Sequence, residues 1–251
     1  MAIQVIAHRG ASAVQPENTP AAFEEALRQG CDAIELDVQL SRDGVPVAFH
    51  DRNLARCGFP GSQVSDLTLA EIRNLRWKKR GRGAGSGTIS TLDELLRDFG
   101  QRVRLLLEVK TREHGARGRE RHAELMQKTI LAVRTLALDS MVSILSFDLD
   151  LLRLCERQAP HLPRILNLKK PLPPDGSFEE VVGRVVALSA KVRRVTAEFG
   201  ERLAEARCPL LVFTCNNQAQ IRRALRSRAS GIMSDRPGWL RQQLEQDVGL
   251  S

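Results

Sequence analysis

The stretch Ala33-Ile-Glu-Leu-Asp-Val-Gln39 alternates apolar and acidic side chains, which is typical of a β-strand with two different faces. Its apolar residues at 34, 36 and 38 share one face and can pack on helices, while Glu35 and Asp37 share the other. Two like charges about 4 Å apart repel by about 4 kcal/mol at an effective dielectric constant near 20. The stretch therefore predicts a strand of a helix-covered sheet, with a cation or a proton between its two carboxylates.

Strand-like and helix-like segments alternate on both sides of this stretch, which is typical of βα units around a parallel sheet. The candidate strands are residues 3–7, 33–39, 45–50, 103–109, 141–146, 164–168, 192–196, 210–214 and 231–234. Capping residues predict helix starts after Thr19, Thr68 and Thr91, and one further helix is predicted over 123–136. Eight repeats predict an α/β fold, a (β/α)8 TIM barrel forming one domain over residues 1–251, with an open doubly wound sheet as the alternative.

The ninth candidate strand, 45–50, is predicted to be a fold-back arm. The link 41–44 is too short for a parallel crossover but suits a hairpin. Pairing Leu40 with Val45 would set His50 opposite Glu35. The following segment, 51–90, contains the glycine-rich run 80–87 and predicts a flexible insertion above the barrel. A phosphate-binding loop is the disfavoured alternative, because no Lys-Ser or Lys-Thr follows at the required spacing.

Acidic side chains recur on the strand 103–109, where Glu108 shares a face with Lys110. With Glu35 and Asp37 it completes an all-oxygen donor set, which suits Mg²⁺ or Ca²⁺. Separate pairing of each carboxylate with an arginine is the alternative. His8 and His50 each end a strand, at the edge where barrel enzymes carry their active sites. Two such histidines suit a reaction in which one accepts and the other donates a proton.

Other polar residues are predicted to have no part in the chemistry. His114, His122 and His161 lie in polar surroundings and are expected at the surface. Glu17 and Asn18 precede Thr19 and are expected to organise the loop and the start of its helix, with a role in the site as the disfavoured alternative.

Composition restricts the class of protein. Of the 251 residues, 42% are apolar and 27% charged, which argues against a disordered, collagen-like or disulfide-stabilised chain. No apolar run approaches the roughly 20 residues that span a bilayer, and the N-terminal sequence predicts no signal peptide. The five cysteines are scattered and lack a Cys-x-x-Cys pair. They predict reduced thiols and a cytoplasmic location.

Several short segments resemble the glycerophosphodiester phosphodiesterase family in order and spacing. In the first fifty residues they are Ala7-His-Arg-Gly-Ala-Ser12, Pro16-Glu-Asn-Thr19, Glu35-Leu-Asp-Val-Gln39, Arg42-Asp-Gly44 and Phe49-His-Asp51. Later ones are Thr91-Leu-Asp-Glu-Leu95, Leu107-Glu-Val-Lys110, Ser146-Phe147, Phe213-Thr-Cys-Asn216 and Gly231-Ile-Met-Ser-Asp-Arg-Pro237. The resemblance covers nearly the whole chain.

The resemblance implies a TIM barrel that hydrolyses glycerophosphodiesters to sn-glycerol 3-phosphate and an alcohol, with one divalent cation, Mg²⁺ or Ca²⁺. Matched residue by residue, it implies an acid/base pair, His8 and His50, metal ligands Glu35, Asp37 and Glu108, and phosphate contacts from Arg9 and Lys110. We assign His8 as base and His50 as acid. The family usually has tryptophan at the position of Phe213 and valine at that of Cys215, so recognition of the leaving alcohol is expected to differ.

The formal net charge of +8 favours an anionic partner. Residues 76–82 contribute +5 and residues 110–121 contribute +3, which predicts a positive rim that attracts a small anionic diester to the barrel mouth. A related phosphodiesterase acting on lysophospholipids is one alternative. A non-catalytic binder of nucleic acid or anionic lipid is another. The low aromatic content, 4% with no tyrosine, argues against nucleic acid, and weak membrane contact through 76–82 stays open.

Overall fold

The computed structural model describes residues 2–78, 86–112, 115–170, 172 and 176–248. The strands are β1 (Gln4–His8), β2 (Ala33–Leu40), β3 (Pro46–Ala48), β4 (Trp77–Lys78), β5 (Ser86–Gly87), β6 (Arg104–Val109), β7 (Val142–Ser146), β8 (Arg164–Leu168), β9 (Ala187–Lys191), β10 (Leu210–Phe213) and β11 (Gly231–Ser234). Eight of them form a parallel ring in the order β1-β2-β6-β7-β8-β9-β10-β11, closed by pairing of β11 with β1. The predicted (β/α)8 barrel is confirmed.

A helix follows each strand of the ring before the next one begins. The helices are α1 (Pro20–Arg28), α2 (Leu69–Arg73), α3 (Leu92–Phe99), α4 (Gly115–Thr135), α5 (Leu149–Gln158), α6 (Gly176–Val182), α7 (Ala197–Glu205), α8 (Gln218–Arg226) and α9 (Pro237–Val248). The side chains of Thr19, Thr68 and Thr91 accept hydrogen bonds at the starts of α1, α2 and α3, as predicted. In the described part of the chain, no helix has the length and apolar composition needed to cross a bilayer.

Two apolar layers hold the barrel together. The interior layer comprises Ile6, Ala33, Leu106, Leu145, Ile165, Ala187, Leu211 and Met233. Residues 34, 36 and 38 of β2 instead join the larger cluster between the ring and its helices. The predicted faces of this strand are therefore confirmed, and Glu35 and Asp37 point inward.

The hairpin arm β3 pairs with β2 one residue away from the predicted register. Val38 lies opposite Ala48 and Leu40 opposite Pro46. The turn is one residue longer than predicted, because the Ser41 hydroxyl accepts a hydrogen bond from the Val45 amide at 2.8 Å and the Ser41 amide donates to the Val45 carbonyl at 3.0 Å. The prediction that His50 lies opposite Glu35 is thus wrong.

The prediction of a strand over 192–196 is also wrong. The sixth strand of the ring is β9 (Ala187–Lys191), and Val192–Arg194 form a 3₁₀ turn. The sequence pattern did not predict β9 because this strand carries small residues at 187 and 189, and Ala187 packs in the barrel interior. The 192–196 run, by contrast, has the β-branched composition typical of strands.

Helix α4 begins earlier than predicted. It starts at Gly115, so most of the predicted loop 110–121 is helical. His122 is buried on this helix, contrary to the predicted surface position, whereas His161 is exposed and contacts Asp139. His114 lies outside the described residues. The predicted +3 rim is therefore wrong in part, because Arg121 donates to the Leu40 and Ser41 carbonyls.

The described part of the insertion 51–90 is packed rather than loose. It contains α2, the β4–β5 ribbon and two 3₁₀ turns, Ala55–Cys57 and Val64–Asp66. Its apolar side chains pack with Val47 and Phe49 of the preceding arm in a separate cluster, to which the insertion contributes Leu54, Val64, Ile72, Leu75 and Ile89. Residues 79–85 lie outside the described residues, and with them most of the basic segment 76–82 and the glycine-rich run.

Candidate active site

A pocket of about 690 Å³ opens at the carboxyl ends of the barrel strands, within the range of about 300–1,000 Å³ usual for small-molecule sites. Six of the seven predicted site residues line it: His8, Arg9, Glu35, His50, Glu108 and Lys110. The seventh, Asp37, is buried beside them. The barrel thus brings together residues from β1, β2 and β6 with the arm that follows β3.

The three predicted metal ligands form one buried cluster. Oxygens of Glu35, Asp37 and Glu108 lie within 4.8 Å of one another. Burial, together with the charges of Asp37 and Glu108, raises the pKa of Glu35 well above its ordinary value. Among the described residues, Oε2 of Glu35 is buried without a hydrogen-bond partner. An all-oxygen cluster with an unpaired buried oxygen fits a hard divalent cation such as Mg²⁺ or Ca²⁺.

Two positively charged side chains, those of Lys110 and Arg9, contact this cluster. Lys110 Nζ is 2.6 Å from Asp37 Oδ1 and 2.5 Å from Glu108 Oε1, and Arg9 Nε is 3.0 Å from Asp37 Oδ2. Burial alone would raise the pKa of Asp37, but Lys110 and Arg9 hold it well below its ordinary value. The arginine-pairing alternative therefore accounts for Asp37, whereas Glu35 forms no ion pair within the described part of the chain.

The loop after β1 holds Asp37 in place. Asn18 Nδ2 donates to Asp37 Oδ2 at 2.9 Å, and the Asp37 amide donates to Asn18 Oδ1 at 3.2 Å. Arg9 and Asn18 have positive φ angles of 60° and 57°, a conformation that costs about 1–3 kcal/mol and clusters at functional sites. Asn18 was predicted to organise the loop, and its bond to an acidic site residue was missed.

His8 is oriented by a carboxylate that directly follows β11, the last strand of the ring. Its Nδ1 lies 2.7 Å from Oδ1 of Asp235, whose Oδ2 accepts from Asn216 Nδ2 at 2.6 Å. Burial would raise the pKa of Asp235, but the bonds from His8 and Asn216 lower it to about 2. Because an ionised carboxylate only accepts, His8 carries its proton on Nδ1 and leaves Nε2 as an acceptor. Burial and then Arg9 lower the pKa of His8, which favours the neutral ring at pH 7.

His50 has a comparable support, built by the insertion. Its Nδ1 is 3.0 Å from Asp51 Oδ1, and Arg56 Nε donates to Asp51 Oδ2 at 2.5 Å. The same guanidinium reaches Glu17 Oε1 at 2.8 Å. The His50 carbonyl accepts from Arg112 at 2.6 Å. The insertion therefore holds the second histidine through a chain of ion pairs.

The sequence did not predict these supporting residues. Asp235 is 227 positions from His8, and no spacing rule connects residues so far apart. Asp51 and Asp235 nevertheless lie inside segments that carried the family resemblance, which was the available signal. Glu17 was predicted to organise the loop, and its ion pairs with Arg9 and Arg56 were missed.

Comparisons with known proteins agree with this geometry. The model of the glycerophosphoryl diester phosphodiesterase family matches residues 8–239. The chain is 36% identical over 177 residues to a probable glycerophosphodiester phosphodiesterase of Mycobacterium tuberculosis, a match that covers 66% of this chain and 65% of that relative.

Two solved structures share the whole architecture. One, from Silicibacter pomeroyi and assigned to the same family, has a TM-score of 0.85 at 30% identity and covers 100% of this chain and 95% of its own. The other is an Oleispira antarctica phosphodiesterase in complex with its product sn-glycerol-3-phosphate, with a TM-score of 0.81 at 25% identity and 96% of each chain covered. The family model matches residues 8–239 and the solved structures share the fold, so the chain belongs to the glycerophosphoryl diester phosphodiesterase family.

Proposed function

We propose that this chain hydrolyses glycerophosphodiesters to sn-glycerol 3-phosphate and an alcohol, with the help of a divalent cation and two histidines. The observation that carries the proposal is the meeting of His8, His50 and the three-carboxylate cluster in one pocket. The product complex of the Oleispira antarctica phosphodiesterase supports the substrate class.

Glu35, Asp37 and Glu108 would hold the cation. When bound there, Mg²⁺ or Ca²⁺ supplies Lewis-acid stabilisation of charge on the phosphoryl oxygens. Arg9 and Lys110, which border the same pocket, orient the diester through its single negative charge and stabilise the charge that develops as the bond breaks. Their contacts with Asp37 keep both side chains at the floor of the pocket.

His8 acts as the base in this proposal. Its neutral ring and free Nε2 suit it to take the proton from the attacking hydroxyl. The attacking group is either water or the 2-hydroxyl of the substrate's glycerol. Attack by the 2-hydroxyl would give a cyclic phosphate, which water then opens. The family resemblance favours the cyclic route.

His50 acts as the acid. As the bond between phosphorus and the alcohol oxygen breaks, His50 gives its proton to the departing alkoxide. Asp51 accepts from Nδ1, so the proton that His50 would transfer is the one on Nε2. Each proton transfer of this kind contributes about 10²- to 10⁴-fold to the rate.

One assay tests the proposal. Release of sn-glycerol 3-phosphate from glycerophosphoglycerol and glycerophosphocholine is measured after treatment with EDTA and again after addition of Mg²⁺ or Ca²⁺, with lysophosphatidylcholine as a parallel substrate. The proposal expects glycerol 3-phosphate only when metal is restored. Activity confined to lysophosphatidylcholine, or no hydrolysis with either metal, contradicts it.

A cytoplasmic location belongs to the same proposal. It is supported by five scattered cysteines, all present as free thiols, as is usual in a reducing compartment.

A further inference from the structure

Four basic residues line the pocket on the side away from the acidic cluster. They are Lys169 and Lys170 after β8, Lys191 at the end of β9, and Arg194 in the turn that follows. We call these four residues the basic lobe. In the eight-strand ring, β8 is the fourth strand from β1 and β9 the fourth from β2. The basic lobe therefore lies across the barrel mouth from His8 and Glu35.

An aromatic pair marks the boundary of this lobe. Phe147 follows β7 and Phe213 ends β10, the two strands that flank β8 and β9 in the ring. Their rings meet edge to face with centroids 6.4 Å apart, and both line the pocket. A contact between these two positions crosses the mouth. It separates the basic lobe from the side that holds the acidic cluster.

The charges on the two sides are balanced differently. Arg9 and Lys110 contact carboxylates of the acidic cluster. Among the described residues that line the pocket, the acidic ones are Glu35 on β2 and Glu108 on β6, and both belong to the acidic cluster. The three lysines of the lobe are exposed and Arg194 is half-buried. The lobe's positive charge is thus available to a ligand.

We infer that the preferred diester carries a second anionic group, a phosphate monoester or a carboxylate, on its alcohol portion. The inference rests on the proposed function. In that proposal the scissile phosphate carries one negative charge, which Arg9 and Lys110 bind. The glycerol end carries only hydroxyl groups, so an anion that reaches the basic lobe belongs to the alcohol. Lysine and arginine bind phosphate and carboxylate oxygens through charge-assisted hydrogen bonds, and the same cations repel a choline headgroup.

The test compares two substrates that differ only in the second anion: glycerophosphoglycerol, and glycerophosphoglycerol phosphorylated at the far end of its leaving glycerol. At fixed ionic strength the wild-type chain hydrolyses the phosphorylated diester with kcat/KM about tenfold higher, the gain expected of charge-assisted contacts. In the variant Lys169→Gln/Lys191→Gln this preference disappears, while hydrolysis of glycerophosphoglycerol is retained.

The control removes two charges elsewhere. Arg157 on α5 and Arg222 on α8 are exposed and do not line the pocket, and the variant Arg157→Gln/Arg222→Gln keeps the preference. If both variants lost the preference for the phosphorylated diester equally, the preference would come from the overall charge, and the inference would be overturned. A wild-type preference for glycerophosphocholine, or equal kcat/KM for the two glycerol diesters, also overturns the inference. A third contradicting result is that Lys169→Gln/Lys191→Gln loses binding to anionic vesicles and changes nothing else.

A binding measurement separates this inference from the proposed function. Titration calorimetry of both diesters into His8→Ala measures affinity without turnover, and the phosphorylated diester binds about tenfold more tightly if the lobe recognises its second anion. If no diester is hydrolysed by the wild type, the proposed function fails, and this titration still decides the inference. Equal affinities contradict it.

Discussion

The two sides of the barrel mouth carry similar groups in opposite arrangements. On the side of β1, β2 and β6, buried carboxylates and cations contact one another, as Asp37 does with Lys110 at 2.6 Å. On the side of β8 and β9, the basic lobe carries three exposed lysines and a half-buried arginine, and the described pocket-lining residues on this side include no carboxylate. A buried charge needs a partner to offset its desolvation, whereas an exposed charge does not. Substitutions on the first side should therefore change turnover, and those on the second should change selectivity.

The largest effect is expected at the two histidines. His8→Ala and His50→Ala should each lower kcat by about 10²- to 10⁴-fold, because each removes one proton transfer. Both side chains are partly exposed, at 15% and 25%, so folding should survive. Steady-state assays with glycerophosphoglycerol, alongside circular dichroism, would check this.

The matched control is His161→Ala, which removes an exposed histidine that is also paired with an aspartate. It should leave kcat unchanged. Substantial activity in both the His8 and the His50 variants would exclude the pair from the chemistry.

Asp235→Asn should have the next largest effect. The carboxylate holds the His8 tautomer, and loss of an equivalent carboxylate in serine proteases lowers kcat by about 10⁴-fold, so we expect a loss of at least about 10²-fold here. Asp235 also raises the pKa of His8, against the larger lowering by burial. Without it the pKa of His8 falls further, and the acid limb of the kcat/KM profile moves to lower pH. A pH profile that moves to higher pH would contradict this role.

A smaller effect is expected for Arg56→Gln, which removes the cation shared by Asp51 and Glu17. All three side chains are largely buried, so the variant should lose about 2 kcal/mol in the free energy of unfolding, somewhat less than the roughly 3–5 kcal/mol of a fully buried pair. We expect kcat to fall about tenfold, because Asp51 no longer holds His50. Arg73→Gln is the control, since its ion pair with Glu94 is exposed and should contribute at most about 1 kcal/mol. Similar losses in both variants, measured by urea unfolding, would argue against the chain of ion pairs.

The smallest effect is expected at the boundary between the two sides. Phe147→Leu removes the edge contact with Phe213, which is worth about 0.5–1.5 kcal/mol. We expect KM for the phosphorylated diester to rise about two- to tenfold, with kcat unchanged. A fall in kcat without a change in KM would show that the aromatic pair serves the chemistry instead.

The sequence predicted the acidic side well because its signals are local. Glu35 and Asp37 are two residues apart on one strand, and His8 ends its strand, so alternation and the position of strand ends were sufficient. The supports of these residues come from distant segments. Asp235 reaches His8 only because the ring closes between β11 and β1, and no pattern in the sequence measures that distance.

The basic lobe was missed for a related reason. The predicted rim was placed on the two densest charge segments, 76–82 and 110–121, whereas the lobe is assembled from short segments after β8 and β9. The error at 192–196 added to this, because a strand there would have moved Lys191 and Arg194 away from the mouth. Charge density along the chain does not predict charge density in space when a barrel brings separate strand ends together.

One measurement tests the division of roles between the histidines most directly. The leaving group of the diester is changed from glycerol to 4-nitrophenol, whose anion departs without a proton, and kcat/KM is measured for His8→Ala and His50→Ala. The account predicts that His50→Ala recovers most of its activity on the nitrophenyl diester, while His8→Ala stays impaired on both substrates. Recovery by His8→Ala instead, or equal impairment of both variants on both substrates, would contradict it.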